Sequence, residues 1–201
     1  MRPRIVGETD LLEQLLEAFA DLGFDGTSVR ALCRHLGVSH NLVHQRYQSK
    51  DAAWFAAVDH GFGRLTSSLD EPIDSAEPFQ TMRTIMLRFM DATIEQPALA
   101  RIIQQEAAHP GPRFDYMFDK YISGVQLRVN EAVGTVQEAG LIRPGPVTTV
   151  WFFAVIWGLG GLAANQKLAG EVGREGEDPF EATRLAVEIF LDGLRPPRPS
   201  A

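Results

Sequence analysis

Apolar residues recur at three- and four-residue intervals along most of the chain, the spacing that gathers one face of an α-helix. Leu11, Leu12, Leu15, Leu16, Phe19 and Leu22 form the first such stripe. Thr9 can cap it, Asp10 and Glu13 sit near its positive end, and Gly23 closes it. Phe24-Asp25-Gly26 reads as a turn, after which Thr27 caps a short helix burying Val29, Leu32, Cys33 and Leu36. In Gly37-Val38-Ser39, Gly37 can take positive φ and Ser39 can cap a third helix from His40 to about Tyr47. Ser49 caps a fourth, Lys50 to Leu69, with Phe55, Val58, Phe62 and Leu65 on one side.

Acidic, Pro-containing residues Asp70 to Pro78 read as a loop. Further helices are expected over Phe79 to Gln96, Ala98 to Ala108, Arg113 to Ala139, Val147 to about Ala169, and Phe180 to Leu194. The breaks fall at Pro97, at His109-Pro110-Gly111-Pro112, at Gly140 to Pro146 and at Gly170 to Pro179; Arg195 to Ala201 is a Pro-rich tail. No stretch alternates as a strand does, and no internal repeat is visible. The predicted fold is all-α. A three-helix helix-turn-helix domain over residues 1–50, with motif helices at about 28–47, precedes a larger helical domain over 51–201.

Apolar residues make up 45% of the 201, which supports a proper core rather than disorder. The net charge of −7 argues against a nucleic-acid partner until it is located. Residues 1–50 balance six Lys/Arg against six Asp/Glu, while 51–201 hold 13 against 20. Gly26 to Lys50 has no acid but carries Arg30, Arg34, Arg46, Lys50, His35, His40 and His44. A local basic surface is what phosphate contact needs, whatever the remainder carries. Cys33 has no disulfide partner, and no Cys or His spacing suits a metal, so neither metal nor other cofactor is expected. The N-terminus lacks the apolar run of a signal peptide, which with a lone Cys points to the cytoplasm.

A helix-turn-helix reads DNA by locking the apolar face of its second helix onto the first and turning polar groups toward base edges. Val43 and Tyr47 can face inward with Val38, leaving His40, Asn41, His44, Gln45 and Arg46 outward. Asn and Gln can bond adenine in two places, and Arg can do so with guanine. An ordinary polar helical hairpin would have to explain amide, imidazole and guanidinium groups with no carboxylate among them.

In order, the chain reads Phe19-Ala20-Asp21-Leu22-Gly23-Phe24, Thr27-Ser28-Val29-Arg30, Gly37-Val38-Ser39 and Tyr47-Gln48-Ser49-Lys50. Residues 9–60 thereby resemble the N-terminal domain of the TetR family of transcriptional regulators. The resemblance implies that Ser28 and Arg30 touch backbone or a nearby base. It places His40, Asn41, Leu42, His44 and Arg46 in the major groove, and Lys50 on a phosphate with help from its helix's dipole. This chain has Asn41-Leu42-Val43-His44 where the family usually has Gly-Thr-Leu-Tyr. His44 can take over the Tyr's phosphate contact, and Leu42 suits a thymine methyl.

The resemblance further implies a non-enzymatic repressor. It would bind a double-stranded inverted-repeat operator as a homodimer and be released by a small apolar or aromatic effector. By order, residues 147–169 and 180–194 correspond to the dimerising helices, where Gly158, Gly160, Gly161, Ala163 and Ala164 permit close approach. Phe62, Met86, Phe89, Met90, Met117, Tyr121 and Trp151 are candidate effector contacts, and Met82, Phe114, Phe118 and Trp157 could widen the lining. Each of these taken alone reads better as core; only their number stands out. Arg88, Asp91 and His109 are candidate polar anchors or plain surface groups.

Three other readings compete. Gly158-Leu159-Gly160-Gly161-Leu162-Ala163 fits the dinucleotide pattern G-x-G-x-x-A of an NAD-dependent oxidoreductase, yet the residues after Lys167 supply no second strand. Pro144 to Gln166 is uncharged for long enough to span a bilayer, but it is only moderately apolar and lacks a flanking basic cluster. A DNA-binding architectural protein without an effector would keep the first domain alone.

Overall fold

The computed structural model describes residues 7–196, and of His40 and Asn41 the backbone alone. Among the described residues every regular element is helical: α1 (Glu8–Leu22), α2 (Val29–Leu36), α3 (His40–Tyr47), α4 (Lys50–Leu69), α5 (Pro78–Glu95) and α6 (Pro97–Ala108). Next come α7 (Pro112–Met117), a π turn (Phe118–Ile122) and α8 (Ser123–Glu138). The chain ends with α9 (Val147–Phe153), a second π turn (Ala154–Leu159), α10 (Gly160–Ala164), α11 (Gln166–Val172) and α12 (Pro179–Leu194).

Proline sets many of the boundaries. Pro78, Pro97, Pro112 and Pro179 each stand in the first turn of a helix, where a missing N–H is harmless. The residue before each is pushed out of the α basin, as at Gln96 (φ −135°, ψ 65°) between α5 and α6. Caps shift slightly from the sequence expectation. α1 starts one residue before Thr9, with Gly7 at its N-cap. α2 is capped by Ser28, whose Oγ accepts from the Ala31 N–H at 3.2 Å, while the Thr27 hydroxyl is buried without a partner.

Two expected long helices depart from regularity. α7, the first π turn and α8 run on without leaving the α basin, as do α9, the second π turn and α10. The stretch expected to continue to Ala169 breaks at Asn165 (φ −121°, ψ 46°) and resumes as α11. Gly160 closes the second π turn. A Cβ there would lie 2.8 Å from the Val155 carbonyl oxygen, so the wide turn requires glycine. The G-x-G-x-x-A stretch is thus helical throughout, with no strand before it and no strand-to-helix turn for a pyrophosphate.

Apolar burial falls into two clusters. The first joins α1 to α4 with α6 and Met117; Leu11, Leu15, Phe19, Leu32, Val43, Trp54 and Val58 are fully buried in it. The second gathers Met82, Met86, Met90, Val133, Trp151, Val155, Val187 and Leu191 from α5, α8, α9, the second π turn and α12. α4 lies in the first cluster, and its C-terminal half meets α5. Val147–Ala164 is the one stretch among the described residues long and apolar enough to cross a membrane, with mean hydropathy 1.7. One side of it, through Trp151, Val155, Leu159 and Ala163, is packed into the second cluster.

Candidate nucleic-acid interface and apolar cavity

α2 and α3 are fixed by their ends and by the apolar side of α3. Gly37, at φ 63°, takes the left-handed conformation that lets its own N–H reach the Arg34 carbonyl and the Val38 N–H reach that of Cys33. α3 then buries Val43 and Tyr47, and Leu42 is half-buried against the same cluster. Opposite them His44, Gln45 and Arg46 are exposed, as are Ser28 and Arg30 of the preceding motif segment. The side chains of His40 and Asn41 lie outside the described residues; their backbone forms the first turn of α3.

Three of these groups already have intramolecular work. The Ser28 hydroxyl is used as a helix cap. Arg46 donates to Glu8 Oε2 at 2.9 Å, and the Tyr47 hydroxyl donates to Glu8 Oε1 at 2.6 Å. Burial, and next the Glu8 carboxylate accepting its proton, hold the Tyr47 hydroxyl well above the ordinary phenol range. Lys50 departs furthest from the sequence expectation. Its Nζ donates to the carbonyls of Phe24 at 2.9 Å and Thr27 at 3.0 Å and lies 3.9 Å from the Phe24 ring centre. In this state it staples the α1–α2 turn to α4 instead of reaching outward for phosphate. The reason is geometric: the turn carbonyls have no helical partners, and Lys50 opens the helix packed beneath them.

The acids segregated on α1 also have partners. Arg101 of α6 pairs with Asp21 at 2.7 Å and Glu17 at 2.8 Å, and Gln105 donates to the Ala20 carbonyl at 2.8 Å. Arg113 pairs with Glu106 at 2.9 Å, and its guanidinium lies 4.0 Å from the Phe24 ring centre. Midway along α4, the Asp59 carboxylate accepts from Tyr116 at 2.6 Å, Tyr121 at 2.8 Å and Lys120 at 2.9 Å. Burial would raise the Asp59 carboxyl, but those three bonds and the Lys120 charge outweigh it and hold it below the usual range. Burial first, then the bond to Asp59, push the Tyr121 hydroxyl up to about 12.

One turn further along α4 begins an apolar cavity of about 100 Å³. Phe62, Leu65 and Leu69 of α4 form one wall, and Ile85, Met86 and Phe89 of α5 another. Ile103 of α6 joins them, α8 adds Val125, Gln126 and Val129, and the far side is Trp151, Phe152, Val155 and Ile156. A second cavity of about 80 Å³ shares Leu69, Ile85, Val125, Val129 and Trp151 with it and has Arg128 on its wall.

Of the expected effector contacts, Phe62, Met86, Phe89 and Trp151 line the cavity. Met90 and Met117 do not: they are buried at 1% and 0% exposure, packed as core. Tyr121 stands behind the wall, stacked on Phe62 with ring centres 4.4 Å apart and its hydroxyl spent on Asp59. Arg88 holds the carbonyls of Glu71 and Pro72, Asp91 pairs with Arg184 on the surface, and His109 is exposed, so none anchors a buried ligand. The aliphatic part of the lining was not foreseen, because adaptable Met and wide aromatics are the side chains that usually mark a pocket. Its signal was present: Leu65 and Leu69 follow Phe62, and Val125 and Val129 pair, at helical intervals.

A short basic motif on a three-helix scaffold, followed by a helical body with an internal apolar cavity, defines the class: a helix-turn-helix DNA-binding regulator. Residues 11–57 match the family described as "Bacterial regulatory proteins, tetR family". Those residues, from α1 into α4, are thus similar to that family. No curated relative matches the sequence. Solved structures similar to the chain include the ketosteroid transcriptional regulator KstR2 of Mycobacterium tuberculosis (TM-score 0.66, 18% identity, covering 97% of this chain and 98% of that one). The TetR family transcriptional regulator PfmR from Thermus thermophilus (0.66, 16%, 96% and 100%) is also similar. So is a protein of unknown function from Rhodococcus sp. RHA1 (0.61, 24%, 98% and 100%). At these identities the likeness establishes the fold, which is that of TetR regulators from end to end.

Proposed function

We propose that the chain is a cytoplasmic, non-enzymatic transcriptional repressor that binds an inverted-repeat operator as a homodimer and is released by a small apolar ligand. The carrying observation is the shared α4. It follows directly on α3, with Ser49 capping it through the Ala52 N–H, and its C-terminal half forms a cavity wall through Phe62, Leu65 and Leu69. A ligand that favours one placement of that wall thereby acts on the base-reading helix. Arg30, the exposed face of α3 and its first turn with His40 and Asn41 would meet DNA.

The dimer reading is supported by apolar residues left exposed on the last helices: Val150, Phe153 and Trp157, with Leu185 and Ile189 on α12. The opposite side of each helix is already packed in the second cluster, so a second copy is a better cover for this face than lipid. The cavity likewise favours a ligand-responsive regulator over an architectural protein.

In-vitro selection of bound duplexes, followed by anisotropy titration with and without stabilising apolar compounds, tests the proposal. Selected sites should be palindromic, with half-site centres about 34 Å or a multiple apart, and compounds that raise the melting temperature should weaken binding. Single non-palindromic sites, or stabilising compounds that leave DNA affinity unchanged, would refute it.

A further inference from the structure

Arg46, placed by the sequence in the major groove, is held in this structure by an acid of another helix. Its Nη1 donates to Glu8 Oε2 at 2.9 Å, which ties the last turn of α3 to the first turn of α1. The other carboxylate oxygen accepts the Tyr47 hydroxyl at 2.6 Å, and Tyr47 is packed in the first apolar cluster. An exposed ion pair is commonly weak because two long side chains must be ordered to make it. Here the acid is ordered beforehand. Tyr47 pins one of its oxygens, and its place in the first turn of α1 sets a negative charge at the positive end of that helix. The contact therefore costs Arg46 alone the ordering of a side chain.

We infer that the Glu8 carboxylate competes with DNA for the Arg46 guanidinium, and so sets the affinity of the DNA-binding surface from outside the recognition helix. This rests on the DNA-binding part of the function proposed above and is independent of any effector. A carboxylate, a phosphate and the O6/N7 edge of guanine all accept from the same guanidinium fork. To give that fork to DNA, Arg46 leaves Glu8, and whatever the Glu8 contact is worth in the free protein is subtracted from the gain on DNA. In a dimer the subtraction is made twice. A carboxylate that merely propped α3 in place would have the opposite sign, because removing it would weaken binding.

The test uses the full chain and a duplex returned by the selection described above, titrated by anisotropy. The Glu8 side chain is 57% exposed, and Glu8→Gln removes its charge while keeping an acceptor for the Tyr47 hydroxyl, so the variant retains the fold. It should bind the duplex about three- to tenfold tighter at low salt, the range for one exposed pair released in each of two copies. The gain should shrink as salt is raised, because salt screens the pair in the free protein. Arg46→Ala should weaken binding, and adding Glu8→Gln to it should change affinity by less than about twofold. Unchanged or weaker binding by Glu8→Gln would overturn the inference. An equal gain with and without Arg46 would also overturn it, leaving Glu8 a plain repulsive charge near phosphate. Failure of the unmodified chain to bind any duplex would strike the DNA-binding reading itself, and this inference with it.

Discussion

Asp59→Asn separates the joint between α4 and the first π turn from the cavity beside it. The carboxylate accepts from Tyr116, Tyr121 and Lys120, and asparagine keeps one acceptor oxygen and no charge. Bonds to a charged acceptor reach about 1.5–3 kcal/mol each when sheltered. Here the Asp59 side chain is 37% exposed and that of Lys120 45%, so solvent screening reduces the Lys120 pair to about 0–1 kcal/mol. A net loss of about 1–2 kcal/mol results, a fall in melting temperature of about 2–8 °C for a chain of this size. The folded carboxyl titrates below its ordinary value of 3.8. Its contribution is therefore present above that value and disappears as pH falls through the lower, folded one. Calorimetry at pH 7 should show the full gap between wild type and variant, and the gap should narrow below about pH 4. A shift under 1 °C at pH 7, or a gap unchanged from pH 7 to pH 3, would show that the three bonds carry no net stability.

Lys50→Ala should lower both stability, by about 1–2 kcal/mol through the two hydrogen bonds lost at the Phe24 and Thr27 carbonyls, and affinity for every DNA sequence alike. Unchanged thermal stability would restore Lys50 to a pure phosphate contact. Met86→Trp, at a position 1% exposed in the cavity wall, should abolish stabilisation by apolar compounds while leaving operator affinity within about threefold; continued stabilisation would place the ligand elsewhere. Phe153→Glu, on an exposed face, should give a folded monomer by sedimentation and lose operator binding; a surviving dimer would put the interface on another surface.

The first four helices were legible because spacing and capping agree there, and both are local. The one-residue slip at the second cap arose because Thr27 and Ser28 are both capping types; only burial of the Thr27 hydroxyl selects Ser28. The Glu8–Arg46 and Lys50–Phe24 contacts were not legible, since they join residues 38 and 26 positions apart. Nothing in the composition of Phe118 to Ile122 or Ala154 to Leu159 marks a π turn, although Gly160 is a trace of the second. That the middle of the chain is apolar was plain. Which apolar residues leave a gap depends on how α4, α5, α6, α8 and α9 pack, and Met90 and Gln126 fall on opposite sides of that outcome.

The pairing of α1 with α6 bears on how a ligand could release DNA. If α4 alone pivoted, it would have to slide under α1, with which it shares Leu11, Leu15, Trp54 and Val58 in one buried cluster. Close-packed interiors do not yield in that way. α6 offers a second connection: Ile103 lines the cavity, while Arg101 and Gln105, two residues to either side, grip Glu17, Asp21 and the Ala20 carbonyl of α1. Pressure on the cavity wall at Phe62 and Ile103 is thus passed to α4 and α1 together. The N-terminal domain would then move as one body, and the spacing of two recognition helices in a dimer would change with no rearrangement inside either. A differential affinity of about 1–3 kcal/mol between the two placements corresponds to about 5- to 150-fold weaker operator binding. That difference has to come from contacts the ligand makes in one placement and not in the other, which requires the DNA-bound placement to be the one that narrows the cavity.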